Sequence, residues 1–164
     1  MKVFGFAGFS GSGKTTLIEK LIPIFVEEGL TVSLIKHAHH DFDIDRPGKD
    51  SFRHRAAGGH EVLISSDRRW ALMHELRGEA EPVLAEHLAR LSPCDLVLVE
   101  GFKRAPIPKI EVYRRAADKP LLHPQDETIV AVATDVALNT ALPQMDINDA
   151  AGIAGFIFKE AGLT

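Results

Sequence analysis

Short continuous apolar runs alternate along the chain with longer stretches whose apolar residues recur at helical spacing, the pattern of a βαβ protein. Val3, Phe4, Phe6 and Ala7 make the first run and predict a fully buried parallel strand. Leu17, Leu21, Ile24 and Phe25 follow at helical spacing and predict a helix over residues 14–28, stopped at Gly29, which suits a left-handed cap. Pro23 removes one helical hydrogen bond and predicts a kink near the middle of that helix. Residues 31–36 are β-branched and apolar and read as the second strand.

Past a polar stretch, 37–50, a helix is expected over 51–57 with Asp50 as its cap. Residues 62–65 and 70–73 read as strands joined by a polar turn at Asp67-Arg68, a hairpin that would give the sheet an antiparallel edge. A helix is predicted over 79–91, with Pro82 in its first turn and His87 packed against the sheet. Residues 95–101 and 107–113 are further strands, 116–127 a mobile loop with two prolines, and 128–133 the last buried strand. A closing helix, capped by Asp146, completes the chain with plain core packing. The expected fold is α/β: a doubly wound, mostly parallel sheet with helices on both faces, in a single domain over 1–164.

At the first strand-to-helix junction the chain reads Gly8-Phe9-Ser10-Gly11-Ser12-Gly13-Lys14-Thr15-Thr16, which fits G-x-x-x-x-G-K-[ST] in the context that a phosphate-binding P-loop requires. Its glycines allow conformations closed to residues with a Cβ. Successive N–H groups through Ser10, Gly11, Ser12, Gly13, Lys14, Thr15 and Thr16 can then converge on phosphate oxygens at the positive end of the helix. Lys14 supplies charge for the β- and γ-phosphates, and the Thr15 hydroxyl is placed for Mg²⁺.

Asp95-Leu96-Val97-Leu98-Val99-Glu100-Gly101 is similar to a Walker B strand. Glu100 at its end stands where it can hold Mg²⁺ through water or orient an attacking water, and the Gly101 N–H can sense a γ-phosphate; a helix-starting Glu is the plainer alternative. Thr134-Asp135 arrives at the same end of the sheet. An Asp there can accept from guanine N1–H and N2–H₂, which favours GTP, or can simply form a turn. The polar stretch holds His37, His39 and His40 with Asp41, Asp43 and Asp45. It reads as a switch loop whose carboxylates face Mg²⁺ or water, with a transition-metal site as the alternative. Arg46 and Lys49, flanking Gly48, reach nucleotide phosphate or lie exposed.

Charge and composition narrow the classes. A formal net charge of −4 and a pI near 6.0 argue against non-specific nucleic-acid binding. The basic residues come as pairs, Arg68-Arg69, Lys103-Arg104 and Arg114-Arg115, which are usually solvated but can meet an anionic cofactor or partner. No segment approaches the roughly 18 apolar residues of a membrane span, and the opening residues run straight into the P-loop without a cleavage site, so a cytoplasmic protein is expected. The single cysteine, Cys94, cannot form an internal disulfide and reads as a packed residue.

In order, GFSGSGKTT, KHAHHDFDIDRPGKDS, the RWAL strand, DLVLVEGFK, PKIEVYR and AVATD resemble the MobB family of molybdopterin-guanine dinucleotide biosynthesis proteins over nearly the whole chain. The resemblance implies a GTP-binding protein of the SIMIBI branch of P-loop NTPases, a homodimer, and at most a slow Mg²⁺-dependent GTPase. It also implies an adapter role beside MobA, the guanylyltransferase that attaches GMP to molybdopterin. Carried over by residue, it assigns Gly11, Gly13, Lys14, Thr15 and Thr16 to phosphates and Mg²⁺, Glu100 and Gly101 to the magnesium side, and 46–49 to the neighbourhood of the nucleotide. Two other classes share the P-loop. A small-molecule kinase would need an arginine-bearing lid, for which 116–127 offers only Lys119, and a nickel-type metallochaperone GTPase would use His37, His39 and His40.

Overall fold

The computed structural model describes residues 1–38 and 42–163. These fall into two compact units, Met1–His37 with His87–Thr164, and Ala38–Glu86.

The larger unit is built on six strands: β1 (Lys2–Ala7), β2 (Val32–Lys36), β5 (Leu96–Glu100), β6 (Lys109–Tyr113), β7 (Ile129–Thr134) and β8 (Gln144–Asp146). They pair in the order β2-β5-β1-β6-β7-β8, every pairing parallel. The continuous apolar runs are explained by burial on both faces. Phe4, Phe6, Leu96 and Leu98 join one core cluster, while Val97 and Val99, of opposite pleat, are equally inaccessible. Helix α1 (Lys14–Glu27) and helix α4 (Ala150–Ala161) pack on the cluster side through Leu17, Leu21, Phe25, Ile153 and Ile157. There the rings of Phe25 and Phe158 meet edge-on, 5.2 Å between centroids. Pro23 lies inside α1 as expected, and the helix ends just before Gly29.

Several local expectations are corrected. β8 is a short sixth strand that sequence reading passed over, because Gln144, Met145 and Asp146 carry no apolar run. Asp146 therefore ends a strand, and the cap of α4 is Asp149, whose side chain accepts from the Gly152 N–H. Residues 115–127 contain two 3₁₀ turns and are tied to β6: buried Glu111 accepts from the N–H groups of Leu122 and His123 at 2.7 and 2.9 Å, and from His123 Nδ1 at 2.9 Å. Lys109, also on β6, is wholly buried and spends its ammonium on the Ala105 carbonyl, the Thr128 hydroxyl and Asp126.

The smaller unit contains helix α2 (Asp50–Ala56), capped by the backbone of Lys49, so Asp50 is its first helical residue rather than its cap. Strands β3 (Glu61–Ser65) and β4 (Trp70–His74) pair antiparallel as a separate two-stranded sheet. The hairpin was legible, but the edge it was expected to give the main sheet is not formed. Helix α3 (Leu84–Arg90), across the boundary of the units, is shorter than expected and begins after Pro82, because residues 79–83 carry no helical turn.

Candidate nucleotide-binding site

Strand β1 ends at Ala7 in the middle of the larger sheet, and α1 starts at Lys14, so residues 8–13 form the turn from strand to helix. Gly13 is the N-cap with φ 97° and no side chain to cap with, leaving the first N–H groups of α1 open to an external acceptor. Ser12 is buried and its hydroxyl has no hydrogen-bond partner, while its N–H bonds the Phe9 carbonyl at 3.2 Å. A buried, unpaired hydroxyl at a helix N-terminus suits a polar ligand. Ser10, Gly11, Thr15 and Thr16 are exposed around it.

Lys14 folds over this loop, its Nζ donating to the carbonyls of Gly8 and Phe9, both at 2.9 Å. Its pKa is held below the ordinary lysine value, chiefly by burial, with Lys103 and Lys36 adding to the effect and Glu100 opposing it. Lys103 stands over the Phe9 ring at 4.8 Å. The β2–β5 register sets Lys36 beside Glu100, and Lys36 Nζ lies 3.4 Å from Glu100 Oε2. The other carboxylate oxygen, Oε1, accepts from the Thr15 hydroxyl at 2.8 Å. The two residues expected to share Mg²⁺ thus come together across 85 positions of sequence. A threonine hydroxyl and a buried carboxylate are hard oxygen donors, and they fit that ion.

The remaining expected residues are placed as follows. Gly101 is buried against His37, and its N–H points to the Phe6 carbonyl at 3.4 Å. The Thr134 hydroxyl closes a turn with Val136, and exposed Asp135 accepts from the Arg115 N–H at 3.0 Å. Arg46, Gly48 and Lys49 belong to the smaller unit, where the Arg46 carbonyl accepts from the Lys49 N–H ahead of α2. In that unit the Asp43 carboxylate is exposed to water and the Asp45 carboxylate is buried. Both bond Arg55, at 2.6 and 2.9 Å, and Glu75 joins them at 3.2 Å. Arg55 is held even more firmly protonated than an ordinary arginine, first of all by its bond to Asp45. Among the described residues no group of three or more His, Cys, Asp or Glu side chains is arranged to hold a metal ion, and His39, His40 and Asp41 lie outside them. Lys103 belongs to one of the basic pairs noted in the sequence, whereas nothing there marks Lys36, since only the strand register brings it to Glu100.

A β1-turn-α1 loop of this kind on a parallel sheet is shared by many proteins, and comparison narrows the choice. The family model for MobB, molybdopterin guanine dinucleotide synthesis protein B, matches residues 3–135. The chain is a member of the MobB family. It is 46% identical to the molybdopterin-guanine dinucleotide biosynthesis adapter protein of Escherichia coli K12, over 96% of this chain and 91% of that one. It is also 46% identical to the adapter protein of the same description from Haemophilus influenzae, over 94% and 86%. Two crystal structures share the fold: molybdopterin-guanine biosynthesis protein B at TM-score 0.76 and 28% identity, covering 96% of this chain and 99% of that one, and the MobB protein homolog of Bacillus stearothermophilus at 0.75 and 26%, covering both chains fully. The mostly parallel sheet expected from the apolar runs is thus the MobB fold, and the family resemblance is confirmed. Among the described residues no helix is long and apolar enough to cross a membrane.

Proposed function

We propose that this chain is a guanine-nucleotide-binding adapter of molybdopterin guanine dinucleotide biosynthesis, working beside a MobA-type guanylyltransferase. The pathway is the one in the descriptions of its relatives. The nucleotide reading rests on one observation: the Thr15 hydroxyl and the Glu100 carboxylate meet at 2.8 Å beside Lys14 and the open N-terminus of α1.

In this reading the N–H groups of 10–16 bind the phosphate chain. Lys14 exchanges its two loop carbonyls for phosphate oxygens, and the anion offsets the burial that lowers its pKa. Thr15 and Glu100 would hold Mg²⁺, which supplies charge neutralisation to the β- and γ-phosphates. Lys36 holds the Glu100 carboxylate in place through their ion pair. Asp135 retains acceptor capacity beyond its bond to Arg115 and reads the guanine edge. Any hydrolysis is slow, and the chain acts as a cytoplasmic homodimer whose work is to bring nucleotide and enzyme together, with molybdopterin on the enzyme or shared between the two.

Calorimetric titration with GTP, GDP and ATP in Mg²⁺, on the natural chain and on Lys14→Ala and Asp135→Ala, tests the nucleotide half. The expected result is GTP well ahead of ATP, with both substitutions weakening GTP. Equal binding of ATP removes the guanine reading. Sedimentation of the chain with a purified MobA-type enzyme tests the adapter half, and the absence of a joint species at any nucleotide state would refute it.

A further inference from the structure

Arg114 is the first residue past β6, and β6 lies next to β1 in register, Ala7 opposite Glu111. After β1 the chain turns toward β2 on one side of the sheet, and after β6 toward β7 on the other. The crevice between their carboxyl ends is therefore the switch point of the sheet, where open α/β folds take their ligands. The P-loop leaves β1 there, and Arg114 leaves β6 there. The Arg114 guanidinium lies against Gly13, its Nε 3.0 Å and its Nη2 3.6 Å from where a Cβ on that glycine would stand. Arg114 is partly buried, and among the described residues its guanidinium has no hydrogen-bonding or ion-pairing partner.

A cation in this position works against the local field. It stands against Gly13, the N-cap at the positive end of a 14-residue helix. Its five N–H donors meet no protein acceptor among the described residues. An anion in the crevice removes both penalties at once, and a phosphate chain matches the planar fork of a guanidinium. The neighbouring Arg115 differs: it is exposed, and its backbone N–H is bonded to Asp135.

We infer that Arg114 is a second phosphate-binding cation of the P-loop, donating to the phosphate chain of a nucleotide seated on Gly13 and Lys14. Arg114 takes this role only if the P-loop holds a nucleotide, so the test separates the two readings. GTP, GDP and Mg²⁺-pyrophosphate are titrated into the natural chain, Lys14→Ala, Arg114→Gln and Arg114→Lys, and each protein is melted without ligand. Arg114→Gln is expected to weaken all three ligands by about 10- to 100-fold, the range of a charge-assisted hydrogen bond, with Arg114→Lys between it and the natural chain and ligand-free melting unchanged or raised. If the natural chain binds, Lys14→Ala does not, and Arg114→Gln binds within about twofold, Arg114 is not a phosphate ligand and the P-loop reading stands. If the natural chain binds none of the three, both fall. If Arg114→Gln melts more than about 5 °C lower, a loss of roughly 1–3 kcal/mol, Arg114 serves packing over Gly13 and the inference is overturned.

Discussion

Replacing Gly8 by alanine asks whether the P-loop keeps its shape through close backbone packing on β6. Gly8 has φ 146°, in a region that residues with a Cβ avoid. A Cβ there would stand 2.5 Å from the Val112 carbonyl oxygen and 2.7 Å from Ser12 Oγ. The serine side chain can turn aside, but Val112 is 1% exposed and its backbone is paired with Ala133 of β7, so its carbonyl has little room to withdraw. Backbone strain contributes about 1–3 kcal/mol and overpacking about 1–3 kcal/mol more, together about 2–6 kcal/mol. At about 2–4 °C per kcal/mol for a chain of this length, Gly8→Ala should melt about 4–24 °C below the natural protein. Gly11→Ala is the control, because Gly11 shares the loop and a positive φ of 80° but a Cβ there meets nothing within 4 Å. It should lose only the left-handed cost, about 1–2 kcal/mol, or about 2–8 °C. Differential scanning calorimetry of the three ligand-free proteins decides the matter. If Gly8→Ala melts at or above Gly11→Ala, the packing of the loop on β6 is not what shapes it.

Glu111→Leu removes the buried acceptor of three part-buried donors and should cost about 1–3 kcal/mol, as leaving such donors unsatisfied does; amide exchange at Leu122 and His123 should rise in step, and unchanged protection there would show that another group holds the segment. Phe25→Ala empties a fully buried ring site against Phe158 and should cost about 3–5 kcal/mol by urea titration, with a loss under about 1 kcal/mol refuting the packing described. Asp95 accepts from the Thr31 hydroxyl and N–H at 2.6 and 2.8 Å, and the hydroxyl bond, first among the causes, holds its pKa below the ordinary 3.8. A depressed carboxylate pKa stabilises the fold above 3.8 and loses that contribution as pH falls through the folded value. The urea midpoints of the natural chain and Asp95→Asn should therefore differ most near neutral pH and converge in acid, and a gap that widens in acid would contradict the assignment.

Much of this protein is local and can be read in order. Central parallel strands are buried on both faces, so 96–99 and 129–133 stand out as unbroken apolar runs, and the glycine spacing of the P-loop announces its turn because few residues other than glycine adopt those angles. The residue types of the candidate site, Lys14, Thr15 and Glu100, follow from the same local patterns. Their meeting does not: the insertion of β5 between β2 and β1 brings Glu100 to Lys36, and β6 beside β1 brings Arg114 to Gly13. Pairing order is a competition among distant segments of similar apolar character, and no single segment carries it. Caps and edges were misread for a related reason. Asp146 and Asp149 are equally good caps in isolation, and the pairing of Gln144–Asp146 with β7 leaves only Asp149 free for α4. The sequence by itself determined the elements and the chemistry each one carries, while the tertiary structure decided which charges share the crevice at the ends of β1 and β6, because proximity there is set by strand order and register rather than by distance along the chain.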